Sequence, residues 1–265
     1  MRILLTNDDG IGSPGIHLLA LALREAGHRV FVMAPSADRS GVSHAITFFR
    51  SPCKIIDIED DTWACEGTPV DCVVTALLGG IPELALEPHP EMPPERSPPD
   101  LIISGINRGA NLGTDILYSG TAAAARQGSL IGIPSLALSL VEGPQWHWET
   151  AVIFAAERLE EMAAYWKPDT FVNVNMPNRR ELPSSLVHAF PSLRYYNDGM
   201  EVFHAPDGFR YCFVKTGDIS VTKNEAKPEK GSDWDIVAGG NASISDIYNH
   251  PVALESVMGR GRHDT

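Results

Sequence analysis

Ile3-Leu4-Leu5-Thr6-Asn7-Asp8-Asp9-Gly10 is the stretch that decides how this chain reads. A short run of branched apolar residues stops against a polar turn containing glycine. A helical pattern follows over residues 14–26, with Ile16, Leu18, Leu19, Leu21 and Leu23 between polar positions. That succession predicts the first strand, turn and helix of a parallel α/β sheet, with Pro14 in the first helical turn. Doubly wound sheets bind ligands at the carboxyl ends of their strands. Asp8 and Asp9 stand at such an end, where they repel each other and lose solvation. A divalent cation removes both penalties, because hard cations take oxygen ligands. Asn and Asp also serve as plain turn and cap residues, so this tetrad alone leaves that reading open.

An overlapping pattern, Gly10-Ile11-Gly12-Ser13-Pro14-Gly15, matches G-x-G-x-x-G between a strand and a helix. Charge argues against a dinucleotide there, since Asp8 and Asp9 would flank the pyrophosphate. The second strand, over residues 28–33, runs into Ala34-Pro35-Ser36 and offers no acid for a ribose hydroxyl. Tight turns and close helix packing account for the glycines instead.

With 265 residues, 43% of them hydrophobic, the chain supports one large domain or one domain with an extension. No apolar run is long enough to span a bilayer, and the first residues read as a strand rather than a signal peptide. The expectation is therefore a cytoplasmic protein with no membrane partner. Cys53, Cys65, Cys72 and Cys212 show no C-x-x-C spacing, which speaks against zinc or a disulfide framework and for buried small apolar side chains. A net charge of -13 repels long nucleic acids. It leaves room for a small phosphorylated substrate where a metal and backbone amides supply local positive potential.

Further strands are expected over 45–49, 53–58 and 63–66, the last two forming a hairpin-like insert. Thr68-Pro69-Val70-Asp71 opens a helix to about residue 78. Residues 82–99 are proline-rich and read as a surface loop. A strand over 100–104 ends in a Gly/Asn loop over 105–113. Ser119-Gly120-Thr121 then precedes Ala122 to Ala125 and marks a helix N-terminus, whose free N–H groups suit a phosphate. Strands over 135–139 and 171–175 and a helix over 149–165 complete the βα series. Past Pro177 the alternation at 201–204 and 209–214 suggests antiparallel strands, and Ser243-Ile244-Ser245-Asp246-Ile247 a late one. The expected architecture is thus a Rossmann-like, doubly wound, mostly parallel α/β sheet over 1–180. A β-rich C-terminal extension follows over 181–265, with a polar tail at 258–265. In such a sheet Asn7-Asp8-Asp9, Asp38-Arg39-Ser40 and Ser104-Gly105-Ile106-Asn107-Arg108 converge on one crevice. Asp8, Asp9, the Ser40 hydroxyl and the Asn107 carbonyl then form an all-oxygen site suited to Mg²⁺, Mn²⁺ or Ca²⁺.

Together with Gly67-Thr68-Pro69-Val70-Asp71-Cys72 and Asp115-Ile116-Leu117-Tyr118-Ser119-Gly120-Thr121, these blocks resemble, in order, the SurE family, the survival-protein-E nucleotidases. The resemblance covers residues 2 to about 140. It implies a metal-dependent phosphatase for nucleoside 5′- and 3′-monophosphates that also trims short polyphosphate, with one Mg²⁺ or Mn²⁺ per subunit. It implies metal ligands at Asp8, Asp9, Ser40 and Asn107 and a phosphate loop at Ser119, Gly120 and Thr121. It also implies a C-terminal extension used in oligomerisation, as a homodimer or homotetramer. Where the family has Ser-Ile-Thr-Pro-Leu-His, this chain has Ser243-Ile244-Ser245-Asp246-Ile247-Tyr248 and His250 two places later. A histidine that assists proton transfer in relatives is therefore Tyr248 here, unless His250 replaces it.

The expected mechanism is attack by a metal-activated water. Asp8 and Asp9 hold the metal, and one of them takes the water's proton. Asn107 and the amides of Ser119, Gly120 and Thr121 stabilise the phosphoryl oxygens. Asp115 is a candidate to orient a proton donor, and His44 a candidate to face the site. The alternatives are a non-catalytic nucleotide- or phosphate-binding protein and an NAD-type oxidoreductase.

Overall fold

Ile3 and Leu5 project to one face of the first strand and Leu4 to the other, and all three are fully buried. A strand apolar on both faces needs a helical layer on each side, and the computed structural model, which describes residues 1–86, 97–220 and 227–251, has both. In chain order the elements are β1 (Arg2–Thr6), α1 (Pro14–Glu25), β2 (Arg29–Pro35), β3 (Ile55–Glu59), β4 (Thr62–Cys65), α2 (Pro69–Thr75), β5 (Leu101–Arg108), α3 (Gly120–Leu130), β6 (Ser135–Leu140), α4 (Trp148–Glu157), α5 (Leu159–Ala163), β7 (Thr170–Met176), β8 (Leu186–His188), β9 (Tyr195–Tyr196), β10 (Gly199–His204), β11 (Arg210–Lys215), β12 (Ile219–Ser220), α6 (Asp233–Ala238) and β13 (Ala242–Tyr248). Helices α1, α4 and α5 pack against Ile3, Leu5, Val32, Ile103 and Leu138. On the other face Cys72 and Val73 of α2 and Ala124 of α3 pack against Leu4, Phe31, Met33 and Ile102.

Nine strands form one sheet in the order β3-β4-β2-β1-β5-β6-β7-β13-β8. Strands β4, β2, β1, β5, β6 and β7 run parallel, so the architecture is the Rossmann-like one expected. From β1 the chain steps outward to β2 and β4, then crosses back to β5 and continues the other way. The order therefore reverses between β1 and β5, and in doubly wound sheets such a switch point is where a ligand crevice lies, at the carboxyl ends of the strands. Asp8 and Asp9 follow β1 there, and Asn107 and Arg108 close β5.

Several local expectations are corrected. Residues 45–49 form no strand. Their polar groups serve α2 instead: the Thr47 N–H donates to the Asp71 carboxylate (3.0 Å) and the Thr68 hydroxyl to the Ala45 carbonyl (2.7 Å). The β3–β4 pair is not a detached insert, because β4 adds to β2 at the sheet edge. Strand β5 does not end at Ser104. It continues to Arg108 with one extra residue against β6 (Ser104 faces Ala137, Asn107 faces Ser139), a bulge that re-aims the strand end. Gly105 makes this possible, since at φ +133° a Cβ would collide with the Leu138 carbonyl. The helix expected over 149–165 breaks at Arg158, which leaves the helical region (φ −103°, ψ 10°). Of the cysteines, Cys65 and Cys72 are buried, Cys53 is half-buried and Cys212 is exposed.

A division at residue 180 does not follow the sheet. Beyond it, β13 pairs antiparallel with β7 and β8 pairs parallel with β13, so both belong to the core. The hairpin β10–β11 stands apart as a two-stranded ribbon, with Phe203, Phe213, Met200 and Val214 all more than half exposed. In the proline-rich stretch, residues 82–84 make one 3₁₀ turn that buries Leu84. Residues 87–96 and the tail at 258–265 lie outside the described residues. No helix among the described residues is long and apolar enough to cross a membrane.

Candidate active site

Asn7 shapes the turn that follows β1. Its side chain donates to the Gly10 carbonyl (2.9 Å) and accepts from the Gly10 N–H (3.2 Å). This compact loop turns Asp8 inward, where it is only 4% exposed, and leaves Asp9 half-buried at the lip of the crevice. Asp8 meets the N-terminus of α3. The Thr121 N–H donates to Asp8 Oδ2 (3.1 Å) and the Thr121 hydroxyl to Oδ1. Gly120 lets the helix end come this close, since a Cβ there would lie 2.8 Å from Asp8 Cβ. Ser119 caps α3 by accepting from the Ala122 N–H (3.0 Å). The N–H of Thr121, expected free, thus donates to Asp8.

Burial pushes the Asp8 carboxyl above its usual range, although the Thr121 hydroxyl and amide pull it down. Asp9 is pushed up to about 6, by burial first. The N–H of Arg108 (2.9 Å to Asp9 Oδ2) opposes that rise, and the charges of Asp8 and Asp38 add to it. Asp38 itself sits below its usual range because the Ser40 hydroxyl and N–H both donate to Oδ1 (2.7 Å each). The Arg39 N–H donates to the Asp8 carbonyl (2.7 Å), which ties the loop after β2 to the turn after β1. The Asn107 amide nitrogen donates to the Gly109 carbonyl (2.8 Å), so its oxygen is the atom left for a cation.

These residues suit a divalent cation. Two carboxylates are held out of water at a cost that a cation would remove. Ser40 and Asn107, from the two neighbouring loops, offer neutral oxygens. Among the described residues no three His, Cys, Asp or Glu side chains gather as a metal cage, in keeping with a donor set half carboxylate and half neutral.

Other expected site residues are placed elsewhere. Asp115 is half-buried, and its carboxylate pairs with the Arg194 guanidinium and accepts from the Tyr196 hydroxyl. It is no solvated loop acid. It latches the loop before α3 onto the segment around β9, a link across 79 residues that local sequence does not announce. His44 contacts Gln127 of α3 (3.1 Å) and lies on that helix rather than facing the acids. Tyr248 pairs with Thr170, the first residue of β7, and His250 lies 3.4 Å from Asp169. Both therefore lie at the opposite end of the strands from Asp8 and Asp9, and neither reaches the crevice within one chain.

Fold and site define a doubly wound α/β protein with an oxygen-donor acid site at its topological switch point. A family model described as "Survival protein SurE" matches residues 3–193, and the chain belongs to that family. It is 44% identical over 276 residues to the 5′-nucleotidase SurE of Xanthomonas campestris pv. campestris (strain B100), covering 95% of this chain and 100% of that one. It is 39% identical over 255 residues to the 5′-nucleotidase SurE of Stenotrophomonas maltophilia (strain K279a), covering 93% and 89%. The crystal structure of the SurE protein from Aquifex aeolicus superposes with a TM-score of 0.78 at 31% identity, over 98% of each chain.

Proposed function

We infer that this chain is a metal-dependent 5′-nucleotidase, a hydrolase of nucleoside monophosphates. The observation that carries the reading is the pair of carboxylates withdrawn from water at the switch point, against the positive end of α3. Family membership and relatives bearing that name agree with it. The NAD reading has no such support: Gly15 is small because a Cβ would meet the Ile106 carbonyl and the Trp148 ring.

The finer assignments belong to the same proposal. Asp8, Asp9, Ser40 and Asn107 hold one divalent cation, Mg²⁺ or Mn²⁺. When bound, such a cation polarises a phosphoryl oxygen and acidifies water. One of the two acids takes the proton of the attacking water, and Asp9 at the lip is the more accessible of the pair. The phosphate lies against the N-terminus formed by Ser119, Gly120 and Thr121, sharing its positive end with Asp8. Asp115 positions that loop through Arg194 and Tyr196. Hydrolysis of 3′-monophosphates and of short polyphosphate is part of the proposal. So are a cytoplasmic location and assembly as a homodimer or homotetramer through the exposed apolar β10–β11 hairpin.

The test is phosphate release from a panel of nucleoside 5′- and 3′-monophosphates and short polyphosphate, with Mg²⁺, Mn²⁺ or excess EDTA. Release from the 5′-monophosphates that EDTA abolishes is the expected result. Binding of nucleotides with no release under either metal would overturn the enzyme reading.

A further inference from the structure

We propose that Arg108 contacts the substrate's phosphate at this site and that the Trp146 ring holds it in place. The proposal rests on the nucleotidase reading and adds a residue to it. Arg108 is the last residue of β5, one past Asn107. Its backbone N–H is fixed on Asp9 Oδ2 (2.9 Å), which sets its Cα at the lip of the crevice. Its guanidinium lies over the Trp146 ring, 5.3 Å from the centroid. Trp146 in turn stacks on Trp148 (5.3 Å, 15° between planes), and the Trp148 ring rests where a Cβ on Gly15 would come within 2.9 Å. The guanidinium therefore has a backing that runs through two indoles to the first turn of α1.

Stacking uses one flat face of a guanidinium and leaves its five edge N–H donors available. Arg108 is exposed, and among the described residues its side chain makes no ion pair or hydrogen bond. Neighbouring arginines are already engaged: Arg39 Nε donates to the Gly67 carbonyl (3.2 Å), and Arg194 pairs with Asp115.

Electrostatics gives the free donors a task. Asp8 and Asp9 lie at the crevice with the exposed Asp38 close enough to act on Asp9, and the positive charge of Arg108 acts on both Asp9 and Asp38. A phosphate monoester dianion approaching three carboxylates is repelled. One divalent cation offsets two of those charges, and Arg108 supplies the next. A guanidinium also matches a phosphate with paired, charge-assisted hydrogen bonds, whereas a lysine at this place would lack both the fork and the flat face.

The experiment uses the full chain and the nucleoside 5′-monophosphate that the panel shows to be hydrolysed fastest. Its nucleoside and inorganic phosphate serve as inhibitors, and intrinsic tryptophan fluorescence reads phosphate binding without turnover. Arg108→Gln is expected to lower kcat/KM by about 100-fold, the usual loss for a donor to transition-state charge. It should weaken inorganic phosphate at least about 10-fold and leave nucleoside inhibition unchanged. Arg108→Lys should fall between the two. Trp146→Leu should raise KM, and Trp146→Phe should restore it, because a phenyl ring still supports the guanidinium. Wild-type kcat/KM and phosphate affinity in a folded Arg108→Gln protein would overturn the proposal. Equal loss of nucleoside and phosphate binding would overturn it too, by placing Arg108 under the base. If wild-type protein releases no phosphate at all, the nucleotidase reading fails, and the fluorescence comparison still decides Arg108.

Discussion

Two buried acidic regions stand one strand apart and are treated oppositely by the fold. At the start of α2, Asp71 is fully buried and accepts from the Thr47 N–H (3.0 Å), the Thr47 hydroxyl and the Thr68 N–H (2.8 Å). Burial works to raise its carboxyl, but those donors outweigh it and hold it below the usual range. After β1, Asp8 accepts from the Thr121 N–H (3.1 Å) and the Thr121 hydroxyl, Asp9 accepts from the Arg108 N–H (2.9 Å), and both carboxyls are raised. Burial works to raise all three carboxyls, and only at Asp71 do the donors outweigh it, which separates an acid that holds the fold from a pair kept for a ligand.

That contrast can be broken by experiment. Asp8→Asn should lower turnover by about 10³-fold, because a ligand to the cation is lost. The thermal midpoint should stay equal or rise, since the cost of a buried charge is removed. A collapse in stability would place Asp8 with Asp71. Adding Mn²⁺ at about 100 times its dissociation constant should stabilise the wild-type protein by about 2.7 kcal/mol, and Asp8→Asn by much less. Urea unfolding with and without EDTA measures this. Asp71→Ala should cost about 2 kcal/mol through loss of the α2 cap and release of Thr47, with turnover per folded molecule near wild type. Lost turnover there would make the cap part of the site.

The smallest effect belongs to a third kind of acid. Asp246 is partly buried, which works to raise its carboxyl, but His188 (2.9 Å) and Lys167 (2.7 Å) outweigh burial and bring it down to about 2. Its ordinary value is 3.8, so its contribution to stability is complete above that pH and is lost as pH falls through about 2. Urea midpoints should favour wild type over Asp246→Asn at pH 7 and converge at the acid end.

The local signals of this sheet were legible. Apolar runs located β1, β6 and β7, the Ser119 cap marked the start of α3, and Thr68-Pro69 marked α2. That Asp8, Asp9, Ser40 and Asn107 come from the carboxyl ends of the neighbouring strands β1, β2 and β5 followed from strand order alone. What stayed hidden was tertiary. Residues 45–49 are apolar enough to read as a strand but spend their polar groups on Asp71 and Thr68. The β5 bulge depends on how Gly105 passes Leu138. Nothing local says that Trp146 will lie under Arg108, or that Arg194 will latch Asp115. The remote strand β13 was seen as a strand, yet its place beside β7 comes only from long-range pairing.

That placement of β13 bears on the order in which the molecule is made. The ribosome delivers β1 first, but β7 waits as an open edge until residues 242–248 emerge and pair with it. Until then the nascent sheet displays a row of unpaired amides and carbonyls on a strand buried in the finished molecule. A chain cut short before Ala242 would therefore be more than a protein missing a strand. It would be one with a permanently sticky flank, which chaperones and proteases would meet before any nucleotide did.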